Sequence, residues 1–430
     1  MADRLDLKSD DYLPTMLAML APAWIDHVLR FHGRPPPRPP GRTPFRYLDL
    51  GCGVGATLLA LAAAYPEAAF VGVDASPSHI RQGAALATAA GLGNVRFIAG
   101  RFGDAAVGDL DPVDYIVANG VYTWVGPEAQ ADFRAAIARL LKPGGAAVVS
   151  ANNVVGWLTL APMRRLVADL SAAAGARTPA DVHAEAMAWT RRVREAAGQP
   201  FIATVAERFG ESFGGLPPAY FMHEMLADAW RPLWTTDLAE DFAAIGLDYL
   251  SGADLAALRD DFALTAAQRA LLEDAPSRAA ALTLRDSFLA RAHVHAVFHR
   301  PDRGARDVSR LDGWARLERP AADVEYAAAT PGGRLKFDNA VARSVVAALA
   351  GGAASLRDVA AAAGASGETA FLRVTDSLFA SGQAAPCDPP AGEDAVRRLN
   401  ALLAAAAPDL VRVADAAGTP RPKAAGINRV

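Results

Sequence analysis

Short apolar runs alternate with helical patterns between residues 45 and 150. Five of these runs predict buried β-strands, at residues 45–50, 69–73, 95–99, 115–118 and 146–150. The spacing of apolar positions predicts helices between them, at residues 56–64, 77–90 and 127–141, and the third connection is the least clearly helical. This alternation predicts an α/β domain with a parallel, doubly wound sheet, whose ligands lie at the carboxyl ends of the strands.

The segments around this domain show no such alternation. Residues 12–31 predict one or two amphipathic helices, and the proline-rich residues 33–41 predict a stiff connector. From residue 157 to about residue 300 the periodicity is nearly all helical, and the charged residues 301–320 predict a connector.

The last part of the chain predicts three short helices, at residues 340–350, 355–363 and 368–380, and a strand near Gln383. This arrangement resembles a winged-helix module. Its presumed recognition helix carries Glu368, Arg373 and Asp376 without a basic stripe, so we expect protein contact, including a homodimer through this module, and no nucleic-acid binding.

We therefore divide the chain into four parts. They are N-terminal helices with a proline-rich linker (residues 1–44), a ligand-binding sheet domain (45–156), a helical regulatory or substrate domain (157–310) and a winged-helix-like module with a tail (311–430).

A glycine turn follows the first predicted strand in the sequence FRYLDLGCGVG. Gly51, Gly53 and Gly55 allow the backbone to approach a ligand closely, and Asp74 ends the second strand, where a carboxylate can accept both hydroxyls of a ribose. Asp49 precedes the turn, and its carboxylate favours a cationic, amine-bearing ligand over a pyrophosphate. S-adenosylmethionine is such a ligand. The looser dinucleotide pattern G-x-G-x-x-A is also present, so a dehydrogenase stays an alternative.

Composition excludes several classes of protein. The 430 residues are 52% hydrophobic and 21% charged, which indicates a globular chain of two or three domains. The net charge of −4 argues against broad binding to nucleic acid or anionic membranes. Two cysteines, Cys52 and Cys387, are too few for a disulfide framework, so we expect a cytoplasmic protein. No window approaches the ~20 apolar residues of a membrane span, so we expect no transmembrane helix.

Several segments resemble the class I S-adenosylmethionine-dependent methyltransferases, which have a Rossmann-like doubly wound sheet. These are FRYLDLGCGVG, FVGVDASPSHI, NVRFIAGRF, YIVANGVYTWV and LLKPGGAAVVSANNVVGW. The segments YFMHEMLADAWRPLWTTDLAEDFAAIGLDYLSGADL and LRDSFLARAHVHAVFHR are similar to the predicted methyltransferase regulatory domain of a bacterial family. The resemblance covers roughly residues 12–310, and it implies methylation of protein lysines as one activity.

The resemblance and the strand ends together give a set of donor-site candidates for S-adenosylmethionine and its product S-adenosylhomocysteine. We expect the glycine turn and Asp49 to hold the methionine part, Asp74 and Ala75 the ribose, and Arg101 and Phe102 the adenine. Asn119 lies where donor and acceptor meet. The full set is Asp49, Gly51, Gly53, Gly55, Asp74, Ala75, Arg101, Phe102 and Asn119.

Some acceptor-site candidates follow the fourth and fifth predicted strands, and others lie in the helical domain. Methyl transfer from a sulfonium is an in-line displacement, so alignment and desolvation of a neutral nucleophile supply most of the rate. We expect Asn119, Tyr122 and Trp124 to act at the transfer centre, with the two rings caging an amine. Further acceptor candidates are Asn152, Tyr220, His223 and Glu224.

The acceptor itself stays open at this point. As in the family, it can be a protein side chain; N- or O-methylation of a small metabolite is the alternative. Asn119 stands where the family often has histidine, and Ala151 where it often has tyrosine, so a cofactor-binding regulator without catalysis is a third hypothesis.

His293, His295 and His299 form the pattern H-x-H-x-x-x-H. On the predicted helix only His295 and His299 share a face, so we expect no metal site, which would require convergent imidazoles.

Overall fold

The computed structural model describes residues 16–422, apart from residues 175–176, 303, 305–306, 365–366, 407–411 and 416. The first four positions of the predicted helical stretch 12–31 lie outside the described residues. A short 3-10 helix, Ala18–Leu20, leads into helix α1, Pro22–Phe31, which begins with proline at a position where its missing N–H costs no hydrogen bond.

The predicted alternation of strands and helices is confirmed. The strands are β1 (Arg46–Leu50), β2 (Ala69–Asp74), β3 (Val95–Ala99), β4 (Val113–Ala118) and β5 (Leu141–Asn152). The helices between them are α2 (Ala56–Ala64), α3 (Pro77–Ala90), α4 (Ala105–Gly108) and α5 (Pro127–Leu140). These five strands are parallel in the order β3-β2-β1-β4-β5, so the carboxyl ends of β1 and β4 are neighbours.

A helical lobe follows β5. Its helices are α6 (Val154–Leu158), α7 (Ala161–Ala174), α8 (Pro179–Ala196), α9 (Pro200–Phe213) and α10 (Pro218–Leu226). Thr178 and Asp181 form a capping box at the start of α8, and the apolar faces of the lobe share a core around Phe209, Phe213 and Phe221.

The prediction of helices throughout residues 157–300 is wrong in one respect, because two strands lie within it. The elements after the lobe are α11 (Thr235–Ala243), β6 (Asp248–Gly252), α12 (Asp260–Ala263), α13 (Ala266–Glu273), α14 (Arg278–Leu289) and β7 (His293–His299). Strand β7 pairs antiparallel with both β5 and β6 and extends the sheet to seven strands, ordered β3-β2-β1-β4-β5-β7-β6. The sheet is therefore mixed, not wholly parallel.

The C-terminal module contains the three predicted helices and a small sheet. Its elements are β8 (Trp314–Leu317), β9 (Ala327–Thr330), β10 (Gly333–Lys336), α15 (Ala340–Leu349), β11 (Ala354–Ser355), α16 (Leu356–Ala362), α17 (Glu368–Ala380), β12 (Ala384–Cys387), α18 (Glu393–Ala406), β13 (Arg412–Val413) and β14 (Arg421–Pro422). Residues 301–320 are not only a connector, because β8 is the middle strand of the sheet β11-β8-β12.

The presumed recognition helix, α17, packs against the rest of the chain. Phe371 and Leu378 are fully buried on it, Asp376 forms ion pairs with Arg259 and Arg310, and Arg373 pairs with Asp261 at 2.6 Å. This face of the module is therefore used within the chain. The homodimer stays a prediction.

The proline-rich linker contributes a buried charge cluster. The Arg38 guanidinium contacts Asp26 of α1 at 3.0 Å and Asp388, just after β12, at 2.5 Å, and Tyr115 of β4 donates a hydrogen bond to Asp26. Because a buried charge is tolerated only when it is paired, this cluster fixes the linker, the sheet and the C-terminal module to one another.

Candidate active site

A cavity of about 630 Å³ lies at the carboxyl ends of β1 to β4, where the alternation pattern placed it. All nine donor-site candidates line it, from Asp49 in β1 to Asn119 after β4. Leu17 and Leu20, from the segment before α1, also line the cavity and were missed by sequence reasoning. Its volume falls within the range of about 300–1,000 Å³ that is typical of small-molecule sites.

The glycine turn after β1 requires glycine for steric reasons. Gly51 and Gly55 have φ values of +81° and +73°, which side chains rarely adopt. A Cβ atom on Gly51 would lie 2.3 Å from Val121 Cγ2, and one on Gly55 would lie 2.6 Å from the ring of Phe97. The backbone thus forms the cavity wall itself, which suits close approach by a ligand.

Asp74 ends β2 as an ionised acceptor on the cavity wall. Its Oδ2 accepts from Gly53 N–H at 2.9 Å, its Oδ1 accepts from Ser76 N–H at 2.8 Å, and His79 Nδ1 lies 3.4 Å from Oδ1. Burial opposes ionisation, but the hydrogen bonds from His79, Ser76 and Gly53 outweigh it and lower the pKa of Asp74. His79, in the first turn of α3, also lines the cavity and was not predicted.

Asp49 is a second carboxyl group in the same cavity, and its pKa is shifted in the opposite direction from that of Asp74. It is 6% exposed, and burial together with the charge of Asp74 raises the pKa of Asp49 to about 7. An unpaired charge is costly at such a position, so a cationic group on a ligand would stabilise the ionised form. The pair therefore suits a ligand that carries both a positive group and a diol.

The far end of the donor half is lined by Arg101 and Phe102 after β3 and by α5. The Phe102 ring packs edge-on against Phe133 of α5 at 5.2 Å, which fixes its orientation on the cavity wall. Asp132, one position before Phe133, faces the same end and was not predicted.

Asn119 lines the cavity, and contacts from the neighbouring strands hold it in place. His295 Nε2 lies 2.9 Å from Asn119 Oδ1, and Ser150 Oγ accepts from Gly120 N–H at 2.6 Å. Burial and the adjacent His293 lower the pKa of His295 to about 4, so the ring is neutral at pH 7 and its Nε2–H donates to the amide oxygen.

The prediction that the three histidines lie on a helix is wrong. His293, His295 and His299 lie on strand β7, where residues two apart share a face. Among the described residues, no group of three or more histidine, cysteine, aspartate or glutamate side chains is placed to hold a metal ion.

Three of the acceptor candidates form an aromatic wall of the cavity, and they come from two parts of the chain. Trp124, after β4, stacks on His223 of α10 with ring centroids 5.4 Å apart and planes 29° apart, and Tyr220 lines the cavity one turn earlier on α10. We call Trp124, Tyr220 and His223 the acceptor wall.

Three acceptor candidates do not line the cavity. Tyr122 is fully buried and donates to Asp241 at 2.7 Å, because the 3-10 turn after β4 directs its ring into the core while Trp124 faces the cavity. Asn152 is 2% exposed in β5, beside Leu233. Glu224 is 7% exposed behind the wall, where burial raises the pKa of Glu224 to about 7.

Two family models match the chain. A methyltransferase domain matches residues 48–145, which include the glycine turn, Asp74 and Asn119. A predicted methyltransferase regulatory domain matches residues 217–300, from α10 to β7. The second match begins at the helix that supplies Tyr220 and His223, so the acceptor wall lies at the junction of the two domains.

Similar proteins match over part of the chain. An uncharacterized protein of Synechocystis, sll1526, is 28% identical over 262 residues, which are 60% of this chain and 51% of that protein. A trans-aconitate 2-methyltransferase of Methylobacterium nodulans is 33% identical over 161 residues, 35% of this chain and 58% of that protein. The chain thus spans about half the length of these curated relatives.

A similar solved structure covers more of the molecule. PKMT2 from Rickettsia typhi, in complex with AdoHcy, superposes with a TM-score of 0.69 at 21% identity, covering 88% of this chain and 78% of that one. This likeness shows a shared fold that includes the regions outside both family models. No helix in the part of the chain that the structure describes is long and apolar enough to cross a membrane. The chain therefore carries a methyltransferase domain with the class I fold, followed by a predicted methyltransferase regulatory domain, and S-adenosylmethionine is the cofactor that these matches support.

Proposed function

We propose that the protein transfers the methyl group of S-adenosylmethionine to an amine nitrogen on a polypeptide side chain, with lysine as the foremost acceptor. The observation that carries the proposal is the acceptor wall, which lines the same cavity as Asn119 and the donor-site candidates. The faces of tryptophan and tyrosine rings attract cations and amines that become cationic, and a methylated amine gains positive charge during the transfer. The resemblance to bacterial protein-lysine methyltransferases and the fold shared with PKMT2 support the same acceptor class.

The chain's own residues account for the requirements of such a transfer. Asp74 and the glycine turn hold the donor by its ribose and methionine parts, and Asn119, fixed by His295, borders the point of transfer. A lysine ammonium has no free lone pair and must lose a proton before attack. The aromatic surfaces of Trp124 and Tyr220 exclude water and lower the pKa of an enclosed amine, which favours the neutral nucleophile.

Labelled donor and a lysate of the source organism test this proposal. The protein is incubated with methyl-labelled S-adenosylmethionine, and the products are separated by size into protein and metabolite fractions. We expect label in protein that survives mild base and that appears as methyl-lysine after hydrolysis. The Asp74→Ala variant is the matched control, because it keeps the acceptor wall and loses the donor contact.

A second candidate is O-methylation of a small carboxylic acid, which the similarity to a trans-aconitate 2-methyltransferase favours. The same experiment separates the two functions, because methyl esters are cleaved by base and N-methyl groups are not. Label that is confined to the metabolite fraction and lost in base would replace the lysine proposal. Donor binding without label in either fraction would favour a non-catalytic regulator.

A further inference from the structure

The proposed transfer has to move a proton away from the acceptor wall. A lysine ammonium must lose one proton before its nitrogen can attack, and a side chain that accepts it speeds the step. The titratable members of the acceptor wall are Tyr220 and His223. Tyr220 is connected to a third titratable group, because its hydroxyl donates a hydrogen bond to the carboxylate of Glu224, one turn further along α10.

Glu224 is buried behind the acceptor wall. The residue is 7% exposed, and its Oε2 has no hydrogen-bond partner among the residues that the structure describes. Burial raises the pKa of Glu224 to about 7, against the opposing effects of Tyr220 and Arg164. A carboxyl group with this pKa is partly ionised at neutral pH, so it can take up a proton and release it again.

Arg164 of α7 is the cation beside Glu224, but its hydrogen bonds go to the backbone. Its Nε donates to the Glu224 carbonyl at 3.2 Å, and its Nη2 donates to the Ala227 carbonyl at 3.0 Å. The guanidinium also lies over the ring of Trp230, 4.0 Å from the centroid. Because these contacts hold the guanidinium in place, its charge opposes only part of the effect of burial on Glu224.

The other titratable side chains near this part of α10 lie on α10 itself and on α8. His223 precedes Glu224 and stacks on Trp124 in the acceptor wall. His183 of α8 packs against Phe221, with ring centroids 4.8 Å apart, and its Nε2 lies 3.1 Å from the carbonyl oxygen of Phe213. Glu224 is therefore the carboxyl group that connects to the cavity through a cavity-lining hydroxyl.

We propose that Tyr220 and Glu224 form a proton relay that deprotonates the acceptor amine, an inference that rests on the proposed function. The acceptor ammonium donates a proton to the Tyr220 oxygen while the Tyr220 hydroxyl proton passes to the Glu224 carboxylate. The neutral nitrogen then attacks the methyl carbon, the carbon–sulfur bond breaks, and its electron pair goes to the sulfur. After the methylated product leaves, Glu224 returns the proton through Tyr220 to solvent.

Glu224→Gln and Tyr220→Phe test the relay with small structural changes. Glu224→Gln keeps the size of the side chain and an oxygen that accepts from Tyr220, and Tyr220→Phe keeps the ring of the acceptor wall. Methyl transfer to the polypeptide acceptor from the labelling experiment is measured between pH 6 and pH 9.5. We expect each variant to lower kcat/KM about a hundredfold at pH 7.5, with the Kd of S-adenosylhomocysteine unchanged within about twofold.

The pH profile distinguishes a proton relay from a packing role. In the wild type, kcat/KM should rise through pH 7 and then level off, because the ionised carboxylate takes the proton. In Glu224→Gln it should keep rising by about tenfold per pH unit towards the lysine pKa of about 10.4, because only the amine that is already neutral reacts. The loss should therefore shrink to within about threefold at pH 9.5.

A double variant and a control variant sharpen the test. Tyr220→Phe combined with Glu224→Gln should lose no more than about twofold beyond either single variant, because both residues act on one proton path. Glu211→Gln removes the same charge from an exposed position on α9, outside the cavity, and should keep the wild-type pH profile. A thermal melt checks each variant, and if Glu224→Gln does not fold, the pH profile of Tyr220→Phe decides the question.

Three results would overturn the relay. Glu224→Gln could keep the wild-type kcat/KM at pH 7.5, or the losses of the two single variants could multiply in the double variant. The rise of kcat/KM through pH 7 could also persist in Glu224→Gln and disappear in His223→Gln, which would assign the proton to His223. A wild-type chain that labels no protein at all would instead refute the proposed function, and the relay with it.

Discussion

The donor end and the acceptor wall of the cavity are assembled in different ways. Most of the donor end comes from one stretch of chain, residues 49–102, in which successive strands bring Asp49, Asp74 and Phe102 to one edge of the sheet. The acceptor wall instead joins Trp124 of the sheet domain to Tyr220 and His223, which lie on α10, the last helix of the helical lobe. We therefore expect the sheet to determine recognition of the donor, and the docking of the regulatory domain to determine recognition of the acceptor.

This difference has a functional consequence. We expect substitutions on α10 to change activity towards the acceptor and to leave donor binding unchanged. Substitutions at the strand ends should remove donor binding whatever the acceptor is. Four sets of substitutions test that separation, in decreasing order of the change in affinity or activity that we expect.

Asp74→Ala should have the largest effect, and only on the donor end. It removes a charged acceptor of two ribose hydroxyls, so affinity for S-adenosylhomocysteine should fall by about 3 kcal/mol, roughly a hundredfold. Calorimetry measures the change, and a circular dichroism melt of the ligand-free variant checks its folding. Unchanged affinity in a folded variant would contradict the assignment of Asp74.

Donor affinity should also depend on pH through Asp49. Because the pKa of Asp49 is about 7 in the free protein, the carboxyl is mostly protonated below pH 6 and ionised above pH 8. If the cationic donor pairs with the ionised form, affinity for S-adenosylmethionine should fall about twentyfold between pH 7.5 and pH 5.5.

Calorimetric titrations across this range measure the slope. The Asp49→Asn variant has no group to titrate at this position and should show a flat profile with weaker binding at high pH. A wild-type slope that persists in Asp49→Asn would place the titrating group elsewhere.

Trp124→Leu should act on the other side of the cavity. Removing the indole face from the acceptor wall should lower kcat/KM for the acceptor about tenfold, while the Kd of S-adenosylhomocysteine changes by less than twofold. The assay follows methyl transfer to the acceptor found in the lysate experiment. Trp189→Leu is a suitable control, because Trp189 lies on α8 and does not line the cavity. Equal losses in donor affinity and in kcat/KM for the acceptor would show that the donor end and the acceptor wall do not act separately.

His79→Leu should give the smallest effect. The ring lies 3.4 Å from the Asp74 carboxylate and helps to lower its pKa, but the hydrogen bonds from Ser76 and Gly53 remain in the variant, so donor affinity should fall only about fivefold. His79→Gln keeps a hydrogen-bond donor and should restore most of the loss. If donor affinity fell equally in the Leu and Gln variants, His79 would contribute by packing alone and not through a hydrogen bond.

The two regions also differ in how far the sequence predicts them. Glycines, strand ends and the spacing to Asp74 are local signals, so the order of β1 to β5 and the donor residues follow from the sequence. Strand β7 was missed because its residues His293 to His299 follow a helical run, although the alternation of His, Val, His and Ala fits a strand. Strand β8 is only four residues long, and pairing with β11 and β12 defines it.

The acceptor wall was only partly predicted, for a related reason. The sequence cannot tell which of Tyr122 and Trp124 faces the cavity, because a 3-10 turn sets their directions. Tyr220 and His223 reach the site through tertiary packing of α10, and the contact of His295 with Asn119 spans 176 positions of sequence. Such long-range contacts leave no periodic signal in the chain.

A crystal structure of the protein with S-adenosylhomocysteine would locate both the donor and its reactive end. We expect both ribose hydroxyls to hydrogen-bond to Asp74, the adenine to lie beside Phe102, and the sulfur to face Asn119 with an open path to Trp124 and Tyr220. A ligand whose sulfur points away from the acceptor wall, or whose ribose lies apart from Asp74, would contradict this expectation.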